Sequence, residues 1–139
     1  MDNKSIKEYI YKNCVLTQED RLIKWKFNIY FEKASNNKLP GTYIFSDKKG
    51  YHVEDVGDRG GIVCRKVYNN IDDLAYDVLK YMTWSCACDY SESHKFEGVD
   101  RKDLVADYQL VLMKKINVNY YHRFVNELTD EKNNNRVKS

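Results

Sequence analysis

Ile6, Tyr9 and Ile10 return at helical spacing within residues 3–13. A second periodic run covers residues 18–34, where Leu22, Ile23, Phe27, Tyr30, Phe31 and Ala34 recur near every 3.6 positions. Both runs predict helices. Thr17 is placed to cap the second, ahead of Glu19 and Asp20, whose charges suit the positive end of a helix. The same stretch also alternates in the manner of a strand, at Trp25, Phe27, Ile29 and Phe31. Ser35 to Gly41 then breaks regular structure, and three β-prone stretches follow: Thr42 to Ser46, Tyr51 to Val56, and Ile62 to Tyr68. A meander is the economical arrangement. Asp47-Lys48-Lys49-Gly50 suits its first turn, because glycine accepts the positive φ that closes such hairpins, and Gly57-Asp58-Arg59-Gly60-Gly61 makes a looser second one.

Helical spacing resumes after Asn70, a predicted cap, with Ile71, Leu74, Ala75, Val78, Leu79, Met82 and Cys86 on one stripe and Asp72, Asp73 and Asp77 near the positive end. Phe96-Glu97-Gly98 interrupts it. Asp100 and Asp103 restart a helix whose Leu104, Val105, Tyr108, Val111, Leu112 and Ile116 face one side, and Asn117 or Asn119 opens the last, with Tyr121, Phe124, Val125 and Leu128 as its apolar face. The expected fold class is α+β, a small antiparallel three-stranded meander packed by about five helices, because runs of strands and helices are segregated rather than alternating. Residues 1–132 read as a single domain and residues 133–139 as a disordered tail, since the end carries three consecutive asparagines and no clustered hydrophobics.

A chain of 139 residues can bury about two thirds of its unfolded surface. The hydrophobic fraction of 42% is too high for a disordered chain. A net charge of +2 is too small to create the field on which nonspecific nucleic-acid binding relies, and no stretch approaches the roughly 20 apolar residues of a membrane span. The polar start, Met1-Asp2-Asn3-Lys4-Ser5, lacks the apolar run of a signal peptide, so a cytoplasmic location is expected. Cys14, Cys64, Cys86 and Cys88 have no zinc-site spacing; Cys86 and Cys88 would point about 200° apart on a helix and cannot grip one ion together. They read as inert thiols.

Nucleophilic catalysis needs a base positioned beside a serine, cysteine or threonine. No signature ties His52, His94 or His122 to such a nucleophile. Glu54, Asp55 and Asp58 stand near the second turn and could run acid and base chemistry, yet aspartates are ordinary where they stabilise local bends. Gly57, Gly60 and Gly61 lack the lysine and serine or threonine of a phosphate loop. Lys24, Lys26, Lys33 and Lys38 with Trp25 could form a basic aromatic strip for single-stranded nucleic acid, though a solvated helix face looks the same. No catalytic residue, metal or cofactor is expected, and the residues favour a protein that binds another macromolecule. The alternative is a small nucleic-acid-binding protein or hydrolase using His52, Glu54 and Asp58.

Gly50-Tyr51-His52-Val53, the turn Gly57-Asp58-Arg59-Gly60-Gly61 and the helix Ile71-Asp72-Asp73-Leu74-Ala75-Tyr76 follow one another in order. Together they resemble the bacterial immunity proteins of polymorphic toxin and contact-dependent growth inhibition systems. In those proteins G-Y-H-[YV] is followed by an acidic residue, R-G, and a D-[DE]-L helix. The resemblance covers roughly residues 50–128, through Ser85-Cys86-Ala87-Cys88-Asp89-Tyr90 and the helix between Gly98 and Leu112. It departs from the pattern at Asp58, where glutamate is commoner, and at Val118-Asn119-Tyr120, where proline and tryptophan are typical. The resemblance implies a small cytosolic protein, not an enzyme, that binds and neutralises one cognate toxin domain, with no nucleic acid or membrane as partner. Many such toxins are nucleases with basic clefts. Asp55, Asp58, Arg59, Asp72, Asp73 and Tyr76 are therefore the expected partner-binding set, an acidic rim with a tyrosine.

Overall fold

The structure, a computed structural model, describes residues 1–14, 28–35, 38–94 and 98–138, with the backbone alone for residues 134–138. Its elements run α1 (Asn3–Asn13), β1 (Ile29–Tyr30), β2 (Gly41–Asp47), β3 (Gly50–Val56), β4 (Ile62–Tyr68), α2 (Ile71–Ser93), α3 (Arg101–Ile116) and α4 (Val118–Lys138). The class is α+β, as expected. The described residues hold four strands rather than three, and four helices rather than five. Two compact units divide the chain, Met1–Val78 and Leu79–Ser139.

In the first unit, Asp2 caps α1 by accepting a hydrogen bond from the Ser5 amide at 2.7 Å, and Ile6 and Ile10 are fully buried one turn apart. The sheet order is β1-β2-β3-β4, with both hairpins of the meander antiparallel. The first hairpin closes at Asp47 opposite Gly50, whose φ is +136°. A side chain at Gly50 would also start 2.6 Å from the Tyr68 carbonyl oxygen, so only glycine fits both demands.

The added strand is β1. It pairs parallel with β2, Ile29 opposite Thr42 and Tyr30 opposite Tyr43. The helix predicted over residues 18–34 therefore does not reach residue 34; residues 18–27 and its predicted cap Thr17 lie outside the described residues. A parallel pair is joined by a long crossover and not by a turn, so it leaves no local signal of the kind that marks a hairpin. Tyr43, Ile44 and Phe45 in β2 are buried in succession, which means that both faces of this strand are covered. Ala34, Tyr43 and Val56 form one buried cluster with Tyr30 and Ile62 packed against it.

Asn70 caps α2 as predicted: its side-chain oxygen accepts from the Asp73 amide and its side-chain amide donates to the Asp73 carboxylate, both at 2.9 Å. Leu74, Ala75 and Tyr76 are then buried side by side, wider than the single stripe the sequence predicts. Tyr68 donates to the Asp77 carboxylate at 2.7 Å; burial, and then Asp77, push its hydroxyl above the ordinary tyrosine range.

The second unit has its own core. Leu79, Met82, Thr83, Cys86 and Ala87 of α2, Leu112 and Met113 of α3, and Tyr120 and Phe124 of α4 are buried. Gln109, buried, donates to the Lys80 carbonyl at 2.9 Å and to the Thr83 hydroxyl at 3.3 Å. The inward face of α3 thus includes Gln109 and Met113, while Val111, predicted inside, is half exposed. Asp100 caps α3 by accepting from the Lys102 amide at 2.8 Å. Asn117 closes α3 with its own amide bonded to the Met113 carbonyl, and opens α4 by accepting from the Tyr120 amide at 3.1 Å. The backbone of α4 continues helically to Lys138, past the point where the loss of apolar positions predicts fraying.

Candidate functional site

The predicted partner-binding residues do not form one rim. Asp55 lies near the end of β3 and accepts from the Thr42 hydroxyl at 2.8 Å, while Asp58 and Arg59 are exposed in the β3–β4 connection. That connection is held by two backbone bonds of 2.9 Å, Gly60 amide to Gly57 carbonyl and Gly57 amide to Gly61 carbonyl. Asp72 and Asp73 stand beyond the opposite end of β4, at the start of α2, where Asp72 accepts from the Tyr9 hydroxyl at 2.8 Å. The seven residues of β4 separate the two groups, a distance of roughly 20 Å at about 3.3 Å per residue. Tyr76 is 1% exposed and belongs to the core. The six therefore do not stand together as one acidic rim with a tyrosine: β4 runs the full height of the sheet before α2 begins.

Nor are His52, Glu54 and Asp58 assembled. His52 and Glu54 share a face of β3, but the His52 Nε2 lies 2.6 Å from Asp47 Oδ1 at the first hairpin, away from the turn that carries Asp58. The His52 ring, 6% exposed, stacks on Phe45 with centroids 4.7 Å apart. Asp47 also accepts from the Lys49 amide at 2.8 Å. The His52 bond first, then backbone N–H groups, hold its carboxyl below the usual carboxylate range. Glu54 is opposite Arg65, whose Nε is 4.0 Å from its carboxylate. His52 and Glu54 thus each have a structural partner, and Asp58 stands apart in the exposed turn.

The cysteines follow their surroundings. Cys14 donates to the Ala75 carbonyl at 3.6 Å, and burial, with Asp72 adding, pushes its thiol up to about 12. Cys86 is buried, Cys88 is partly exposed and Cys64 is exposed on β4. Among the described residues, no group of three or more histidines, cysteines or acids is placed to hold a metal ion. Lys24, Lys26 and Trp25 of the supposed basic strip lie outside the described residues, whereas Lys38 pairs with Glu32 at 3.5 Å and sits 5.5 Å from the Tyr43 ring centroid.

Two surfaces stand out that residue chemistry did not single out. The first is β4, where Val63, Cys64, Arg65, Lys66 and Val67 are all exposed, Val63 at 72% and Val67 at 54%. Its signal in the sequence was adjacent cations between valines, a pattern typical of edge strands. The second lies in the second unit, where Tyr81 and Trp84 are about half exposed and 6.2 Å apart. Beside them a cavity of about 440 Å³ is lined by Trp84, Val105, Phe124 and Leu128 together with Arg101 and Lys102. Arg101 is held by the Glu92 carboxylate and donates through Nε to the Ser91 hydroxyl at 3.2 Å. Such a cleft suits an apolar anchor flanked by acidic groups.

Among the described residues no helix is long and apolar enough to cross a membrane. No curated protein and no solved structure matches the chain. The family model for Immunity protein 63 matches residues 48–130, from the first hairpin turn into α4. That span is more than half of the sequence and contains both ends of β4 and the helices that line the cleft, and by this match the chain belongs to the Immunity protein 63 family.

Proposed function

We propose that this protein neutralises a cognate bacterial toxin domain by binding it directly in the cytoplasm, acting as a stoichiometric blocker and not as an enzyme. The observation that carries the reading is the family match over residues 48–130, within which all the accessible candidate residues fall. The two acidic groups, Asp55 and Asp58 at one end of β4 and Asp72 and Asp73 at the other, supply local negative potential on a chain of net charge +2. Local complementarity of this kind speeds association and rejects mismatched partners, and a nuclease with a basic cleft is the toxin that best fits it.

The test uses a toxin domain from a gene found next to that of this protein. Co-expression restores growth, and calorimetry with the inactivated toxin gives a saturable complex of fixed stoichiometry. Growth rescue without any complex overturns direct binding. Asp72→Lys combined with Asp73→Lys weakens the complex at least about tenfold, or roughly 1.4 kcal/mol. Because Asp73 also completes the cap of α2, Asp58→Lys in the exposed turn serves as the parallel variant, and thermal melting confirms that each is folded. Unchanged affinity in both folded variants removes the acidic groups from the interface.

A further inference from the structure

We infer that the open edge of β4 is the docking edge for the toxin, which adds an extended acidic segment to the sheet as a further strand. This rests on the reading of the chain as a toxin-binding immunity protein. In the order β1-β2-β3-β4, strand β4 is bonded, among the described residues, only to β3, so alternate residues along its outer side present amide and carbonyl groups that no described strand satisfies. The row is long enough to be read, seven residues against the two of β1 at the other edge.

The side chains state what kind of strand fits. Arg65 and Val67 share one face, Lys66 lies on the other, and Val63 stands two residues before Arg65 beside the bulge at Asp55 and Val56. Arg65 has 68% of its side chain exposed and makes a long 4.0 Å contact to Glu54. A second copy is a poor occupant, because antiparallel pairing of two β4 strands about their centre would set Arg65 against its own counterpart, and a shift of the centre to lie between Arg65 and Lys66 would set Arg65 against Lys66. A segment with a carboxylate between two apolar residues meets the valine, arginine, valine pattern on one face, and a second carboxylate next to the first along the segment meets Lys66 on the other. Asp58 and Asp72 at the two ends favour a segment whose flanks are basic. Backbone bonds then supply the attachment and the charge pattern supplies the choice of partner.

The experiment is amide hydrogen exchange on the full chain, free and saturated with the inactivated toxin domain that the growth test identifies. Alternate amides within residues 62–68 slow at least about tenfold in the complex, while those of the already bonded side change little. Lys66→Glu weakens the complex at least about tenfold without moving the melting temperature. Lys66 is the position of choice because it faces Val53, whereas a carboxylate at residue 65 would stand beside Glu54. A compensating acid-to-lysine change in the toxin segment restores affinity to the Lys66→Glu protein. A complex that forms with unchanged exchange in β4 overturns the docking edge and leaves the immunity reading intact. Protection of β4 that rises with protein concentration in the absence of toxin assigns the edge to a second copy and also overturns it. Absence of any complex overturns the functional reading, and this inference with it.

Discussion

Strands β2 and β4 have equal length and both pair with β3, yet β2 buries Tyr43, Ile44 and Phe45 in succession while β4 exposes every residue from Val63 to Val67. Hydrogen bonding to the same neighbour has therefore not given them the same environment. Position in the sheet decides: β2 is interior, bonded on both sides and covered on both faces, and β4 is an edge among the described residues. The first strand must satisfy packing at every residue. The second keeps its conformation from β3 while its side chains are left for other uses.

Truncation should expose that contrast most strongly. Tyr43→Ala removes a ring that is 1% exposed, stacks on Tyr30 at 4.9 Å and donates to the Leu39 carbonyl at 2.7 Å. Its cost in urea denaturation is about 3 to 5 kcal/mol, against less than about 0.5 kcal/mol for Val67→Ala in β4. Similar costs at the two sites would erase the distinction between interior strand and free edge. A smaller effect is expected from Gly50→Ala, which meets both a φ of +136° and the Tyr68 carbonyl. It should destabilise the protein by more than about 1 kcal/mol, and an unchanged denaturation midpoint would show that the end of β4 yields freely.

The smallest effect sharpens the comparison at the hairpin that joins β2 to β3. The Asp47 carboxyl is held below its ordinary value by His52 and backbone N–H groups. A carboxyl depressed in the folded state contributes stability that is fully present above its unfolded pKa of about 4 and is lost as pH falls through the folded value. The stability difference between the wild type and Asp47→Asn should therefore shrink from about pH 5 to about pH 2 in urea titrations. A constant difference would mean that this pair does not tie the hairpin.

The local part of this fold was legible. The meander is expected over residues 42–46, 51–56 and 62–68 and stands at 41–47, 50–56 and 62–68, because turn glycines and β-branched runs act over a few residues. Asn70 and Asp100 likewise announced their helices through capping chemistry that the chain carries within three positions. What depended on distant neighbours was not legible. β1 needed its parallel partner, Tyr76 needed a packed layer to make it core rather than rim, and Val111 and Gln109 exchanged roles once α3 had turned its inner face. The candidate site suffered most. Acidic residues 14 positions apart in sequence, Asp58 and Asp72, looked adjacent only until β4 was laid between them.

The corner at Asn117 has a consequence for how the second unit comes apart. One residue supplies the last backbone bond of α3 and the first side-chain acceptor of α4, so there is no slack between the two helices in which a fracture could stop. Unwinding that starts at the end of α3 deprives Tyr120 of its acceptor, and unwinding that starts at Tyr120 frees Asn117 to release Met113. The pair behaves as one bent rod, and its failure is shared.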